Sequence, residues 1–140
     1  MADPEHLKLI KDGASLWNEW WATGNSYPDL SGADLTNTDL KNFDLSKADL
    51  TNANLTGANL RRANLTDADL NNAVLSSANF SRANFQNADL RGADAKRSLL
   101  SSSVTDFEFA ENLTQFQIDR MNGDDSVLLP VRLDRPLKWS

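Results

Sequence analysis

The chain is 140 residues long, 40% apolar and carries a net charge of −6, which suits one soluble domain around one core. It has no cysteine and a single histidine, His6, which excludes disulfides, thiolate chemistry and an imidazole cluster for a metal. Its longest apolar run is far short of a membrane span, and its start, Met1-Ala2-Asp3-Pro4-Glu5, lacks the order of a secretory signal, so a cytoplasmic protein is expected.

From about Glu5 to Thr23, the residues Leu9, Gly13, Leu16, Trp17 and Trp20 recur at helical spacing and predict one amphipathic helix. Gly24-Asn25 is expected to stop it, and Pro28 opens a different pattern. The charge also changes there: residues 1–27 carry −2, 28–103 carry −1 and 104–140 carry −3. The near-neutral middle argues against strong general attraction to DNA or anionic lipid, so neither nucleic acid nor membrane is an expected partner.

From Leu30 to Leu100 the sequence has a period of five. Fifteen consecutive sites, Leu30, Leu35, Leu40 and onward, hold Leu or Phe, except for Ala95. Two residues before each centre stands Ala in eleven cases, the others being Pro28, Thr38, Phe43 and Ser98. One residue before stands Asp or Asn, except at Val74 and Leu99. On an α-helix a step of five advances about 500° and scatters the leucines, and on a strand an odd step flips each to the opposite face. A chain that turns at every repeat, pointing each centre at a common axis, buries them all: an all-β solenoid of short bridges and turns. Residues 28–103 contain one Val and no Ile, poor material for long strands, while Asn, Asp, Ser, Thr and Gly supply turn chemistry. The period does not choose between a square and a triangular cross-section.

A solenoid with open ends exposes unpaired backbone, so closing elements are expected at both. The N-terminal helix is one. After the repeats, Thr114-Gln115-Phe116-Gln117 has the form of a capping box, and Ile118 and Met121 continue an apolar face. A short helix over Gln115 to Met121 follows, with Gly123 as its stop. The tail from Ser126 to Ser140 holds Leu128, Leu129, Val131, Leu133, Leu137 and Trp139 and reads as an extended segment laid back over the rod, anchored by Trp139. The expected organisation is 1–27, 28–103 and 104–140 within one structural domain.

Stretches such as Ala48-Asp49-Leu50-Thr51-Asn52 and Ala58-Asn59-Leu60-Arg61-Arg62 resemble the A(D/N)LXX motif of the pentapeptide-repeat family. The resemblance implies a right-handed quadrilateral β-helix with four repeats to a coil, here about four coils. At about 4.8 Å per rung the rod is then about 18 Å long. Both flanks resemble a cyanobacterial subset of the family: Trp17-Asn18-Glu19-Trp20 entering Pro28-Asp29-Leu30-Ser31, and a closing Leu133 to Trp139. That likeness leads us to expect a complete protein.

Folded at 20 residues, the sequence stacks Asp29, Asp49, Asp69 and Asp89 in one outward column, where carboxylates repel and a hard cation is conceivable. The simpler account is that each serves its own turn. A catalytic pair needs distinct environments and a pocket, whereas these residues are copies on a convex rod. No catalytic residue, cofactor or metal is assigned. Lys41, Arg61, Arg62 and Arg82 fall after the centres on one face and are the candidate contact with an anionic partner patch. Val74 is either covered or an exposed contact point, and Leu99 is expected beneath the C-terminal tail or the last cap. Phe43, Phe80 and Phe85 are expected in the core.

The expected function is a non-enzymatic protein-interaction scaffold or regulatory binding protein, monomeric, with a protein partner. The resemblance implies this, since related cyanobacterial members act by binding regulatory proteins, including those of heterocyst differentiation. Two alternatives stand beside it. One is a DNA-mimicking gyrase-binding protein, as in the family's long, acidic, generally dimeric members, from which this short and nearly neutral repeat departs. The other is a cation-binding structural protein, resting on the aspartate column alone.

Overall fold

The computed structural model describes residues 1–24, 26–100, 106–123 and 126–139. Through the repeat region isolated parallel bridges join residues 20 apart: Asp29 to Asp49, Asp34 to Asn54, Asp39 to Asn59, Asp44 to Asn64, and so upward. Four pentapeptides therefore complete one circuit, which gives the rod four sides. Each rung has two backbone bonds, as where Leu30 N–H donates to Asp49 O at 2.8 Å and Asp49 N–H donates to Pro28 O at 2.8 Å.

The corners explain the period. At each one the residue after the bridge closes a turn, as where Ala33 N–H donates to Leu30 O at 3.1 Å. Every second residue past a centre, from Gly32 to Arg97, has positive φ, the mark of a type II turn. Gly or Asn fills eight of these fourteen sites, because both tolerate that conformation. The centres and the alanines then face inward, and Leu50, Leu55, Leu60 and Leu65 are fully buried. Each such leucine contributes about 1.5–3 kcal/mol by leaving water. Phe80 and Phe85 meet edge to face at 5.3 Å, and Phe43 lies 5.9 Å from the Trp17 ring. All three are core residues, as expected.

The single N-terminal helix expected over Glu5 to Thr23 is two helices, α1 (Pro4–Asp12) and α2 (Ala14–Ala22). Gly13, at φ 101° and ψ 170°, lies outside helical space and breaks them apart. The turn of direction lifts Leu16 off the apolar face, leaving it 51% exposed. Asp3 caps α1 by accepting from Glu5 N–H at 2.8 Å, with Pro4 in the first turn, where no N–H is needed. The proposed stop at Gly24-Asn25 is described only at Gly24, Asn25 lying outside the described residues.

The ladder also continues past the uninterrupted repeat. Asn84 bridges Asp106 and Asp89 bridges Glu111, both 22 residues on, so Phe107 stacks on Phe85 at 4.5 Å. Helix α3 (Gln115–Arg120) follows with its capping box formed: Thr114 Oγ1 accepts from Gln117 N–H, and Gln117 Oε1 from Thr114 N–H. Gly123 does not stop this helix, which ends at Arg120. It admits the Trp139 indole, since a Cβ there would lie 2.9 Å from the ring. Trp139 is the anchor the sequence suggested, buried with Nε1–H donating to Met121 O at 3.2 Å. The tail is less uniformly laid down than expected: Val131 is 100% and Leu137 93% exposed, and the last described residues coil into a 3₁₀ turn, Leu137–Trp139.

Candidate functional site

The corner after the third side collects the predicted basic residues. Lys41 and Arg61 occupy its first position in successive circuits, and Asn42, Arg62 and Arg82 its second. The backbone stacks them directly: Asn42 N–H donates to Arg61 O and Arg62 N–H to Ser81 O, both at 3.0 Å. All four side chains are exposed. Among the described residues the ion pairs are Arg91 with Asp89 and Lys96 with Asp94, and no carboxylate pairs with Lys41, Arg61 or Arg62. Arg62 (φ 59°) and Arg82 (φ 66°) adopt the left-handed conformation without the licence of Gly or Asn. A Cβ there costs about 1–2 kcal/mol, a cost that Lys47, Asp67, Ser77 and Arg97 also bear at other corners, but among the described residues this column alone stacks two cations in that conformation.

Val74 does not join this group. It bridges Asn54 and Asp94 on the second side, a full side away, and is 36% exposed. Leu99, expected beneath the C-terminal tail or the last cap, bridges Asn122 and remains 44% exposed. A parallel rung covers the backbone of its neighbour and leaves the outward side chain in solvent.

The aspartate column is real, since bridges link Asp29, Asp49, Asp69 and Asp89 in sequence. Each carboxylate is occupied by its own turn, accepting from the amides of Ser31, Thr51, Asn71 and Arg91 at 2.9–3.0 Å. Asp29 also accepts from the Ser31 hydroxyl at 2.7 Å, and that bond, with the Ser31 amide, holds its carboxyl below the ordinary 3.8. On the third and fourth columns Asn follows Asp and relieves the repulsion, as where Asn59 Nδ2 donates to Asp39 at 3.0 Å. Among the described residues no group of three or more potential ligands gathers for a metal ion.

Sequence reasoning missed the residues that seal the first circuit. His6 Nδ1 accepts from Asp29 N–H at 3.0 Å, and Trp17 Nε1–H donates to Asp44 O at 2.6 Å. Asn18 makes two bonds, donating to Asn42 O at 2.9 Å and accepting from Asp44 N–H at 2.7 Å. The Trp-Asn spacing was visible, but not which backbone groups stood open opposite it.

A family model for pentapeptide repeats matches residues 29–67 and 58–94. Among solved structures, the chain is similar to HetL, a pentapeptide repeat protein involved in heterocyst differentiation regulation in the cyanobacterium Nostoc. The identity is 38% and the TM-score 0.53, over 54% of this chain and 35% of that one. It is also similar to a pentapeptide repeat protein of the Arabidopsis thaliana thylakoid lumen, at 31% identity and TM-score 0.56, over 74% of this chain and 65% of that one. Rfr23 of the cyanobacterium Cyanothece follows, at 27% identity and TM-score 0.52, over 72% of this chain and 56% of that one. The chain thus spans 35–65% of these proteins' own lengths. No curated protein sequence matches it. No described helix is long and apolar enough to cross a membrane. The family and these neighbours imply a right-handed quadrilateral β-helix, which agrees with the 20-residue step of the bridges. With its repeats matched and its four-sided ladder in place, the chain belongs to the pentapeptide-repeat family.

Proposed function

We propose that this protein is a non-enzymatic interaction scaffold or regulatory binding protein that engages an acidic patch on a protein partner through Lys41, Arg61, Arg62 and Arg82. The observation that carries this reading is Arg62 and Arg82 in left-handed backbone, stacked at an exposed corner of a nearly neutral rod. A solvated face needs no charge at a position where Asn42 in the same column fits at lower cost. A row of cations at rung spacing matches acidic side chains at similar intervals, and its main gains are specificity and association rate. The involvement of HetL in regulation supports a regulatory rather than a purely structural role. In this reading the rod is monomeric and cytoplasmic, of about four coils, with 1–27 and 104–140 closing its ends. Val74 acts as a separate apolar contact.

Affinity capture from a lysate of the source organism, repeated with Arg61, Arg62 and Arg82 changed to Glu, tests the reading. Loss of one specific partner with the fold intact is expected. An unchanged partner set would return the corner to an ordinary solvated surface.

A further inference from the structure

One centre breaks the ladder. From Leu30 to Leu90, and again at Leu100, every central N–H donates to a carbonyl one circuit on, whereas Ala95 N–H meets no acceptor among the described residues. The chain that should lay the next rung over Asp94 departs as α3 instead. Gln117 of that helix serves the neighbouring carbonyls, its Nε2 donating to Leu90 O at 2.7 Å and Ala93 O at 2.9 Å. It leaves the amide alone. Between the last rung and α3 lies a recess of about 350 Å³.

Its lining has a definite chemistry. Gly92, Ala93 and Ala95 make a small, apolar floor, and Phe116, 69% exposed, stands as an aromatic wall. Lys96 and Arg120 line it, and Arg97 joins them in the adjoining hollow, tied there by its N–H donating to Arg120 O at 2.9 Å. Against these three cations stands Asp94, whose carboxylate is taken up by Lys96 Nζ at 3.2 Å.

We propose that this recess receives the C-terminal carboxylate of a partner polypeptide whose last residue is apolar. A free amide beside cationic side chains is a donor set for a carboxylate. The Phe116 ring carries the Arg120 guanidinium 5.0 Å from its centroid, which holds that cation at the recess, and its remaining exposed area offers contact to an apolar side chain. Asp94 in the lining disfavours a doubly charged phosphate and fits a singly charged group. An internal strand cannot pair here, because the edge offers one N–H and the adjacent carbonyl is held by Gln117. A peptide entering along this edge therefore ends at it. The volume is near the lower bound for ligand sites and suits one residue with its carboxylate.

The inference shares with the proposed function only that the ligand is a polypeptide, and its test uses no lysate, so its failure leaves the basic corner untouched. The ¹⁵N-labelled protein is titrated with acetyl-Ala-Ala-Ala-Phe bearing a free carboxylate, with the same peptide amidated, and with phenylacetate. We expect saturable shifts centred on the amides of Gly92, Ala95, Lys96 and Phe116. Amidation, Phe116→Ala and Arg120→Gln are each expected to weaken binding at least tenfold, while Arg62→Glu leaves it unchanged. Phe116 is exposed, so its alanine variant should keep the remaining spectrum in place and serves as the decisive variant. Absence of shifts at millimolar peptide, equal binding of acid and amide, or phenylacetate binding as tightly as the peptide would overturn the assignment.

Discussion

The cost of arginine in left-handed backbone can be measured at Arg62. In the column formed by residues 42, 62 and 82 the φ values are 64°, 59° and 66°, so one conformation is imposed on Asn, Arg and Arg alike. For most L-residues it brings Cβ close to the following carbonyl and costs about 1–2 kcal/mol, of which Asn recovers a part. Arg62→Asn removes an exposed side chain with no ion-pair partner among the described residues, so little packing is lost with it. A stabilisation of about 1 kcal/mol is expected, or about 3–5 °C in midpoint for a chain of this size. The reverse change, Asn42→Arg, should destabilise by a similar amount while extending the basic corner. Thermal and urea unfolding followed by circular dichroism read both. Partner capture should move oppositely to stability, weaker in Arg62→Asn and no weaker in Asn42→Arg. Loss of stability in Arg62→Asn would refute the argument, since it would mean that the arginine makes a contact worth more than its strain.

Three further changes probe the ladder. Leu60 is fully buried, so Leu60→Ala should cost about 2–5 kcal/mol and Leu60→Asp should prevent folding, seen as loss of the cooperative transition. Ser98 occupies an alanine site with its hydroxyl buried and unpartnered among the described residues, so Ser98→Ala should raise stability by about 1 kcal/mol in urea unfolding. For Asp29 the folded carboxyl lies below the ordinary 3.8, chiefly through the Ser31 hydroxyl, so its contribution is present above that value and is lost as pH falls through the lower, folded one. The stability gap between the parent and Ser31→Ala should accordingly be full at neutral pH and close in acid; a gap independent of pH would refute this linkage.

The repeat was legible because fifteen sites answer to one physical demand, burial on a common axis, and nothing local competes with it. The basic corner was legible for the same reason, once residues 20 apart were read as neighbours. What failed depended on interruptions. Gly13 passed as a tolerated glycine in a helical pattern, although its backbone is not helical. The bridges from Asn84 to Asp106 and from Asp89 to Glu111 step by 22 instead of 20, so a two-residue insertion hid the upper ladder from a search at fixed period. The recess beside α3 had no sequence signal beyond Ala95, because it arises from where a helix stands and not from what it contains.

The N-terminal end shows how such interruptions are managed. A first circuit leaves amides and carbonyls open on every side, yet the two helices reach only some of them. Asp29 and Asp44 are served by His6, Asn18 and Trp17, while the exposed Asp34 and Asp39 amides find no acceptor among the described residues and are left to water. Carboxylates on that open edge discourage another strand from pairing with it. Asn18 is therefore the residue on which the sealed half depends most, since one side chain serves both a donor and an acceptor. Asn18→Ala should cost about 1–2 kcal/mol and speed hydrogen exchange at the Asp44 amide well beyond the global change. Ser15→Ala, exposed on the same helix, should do neither. Unchanged exchange at Asp44 would mean that water replaces Asn18 at no cost and that the helices close the rod through His6 and Trp17 without it.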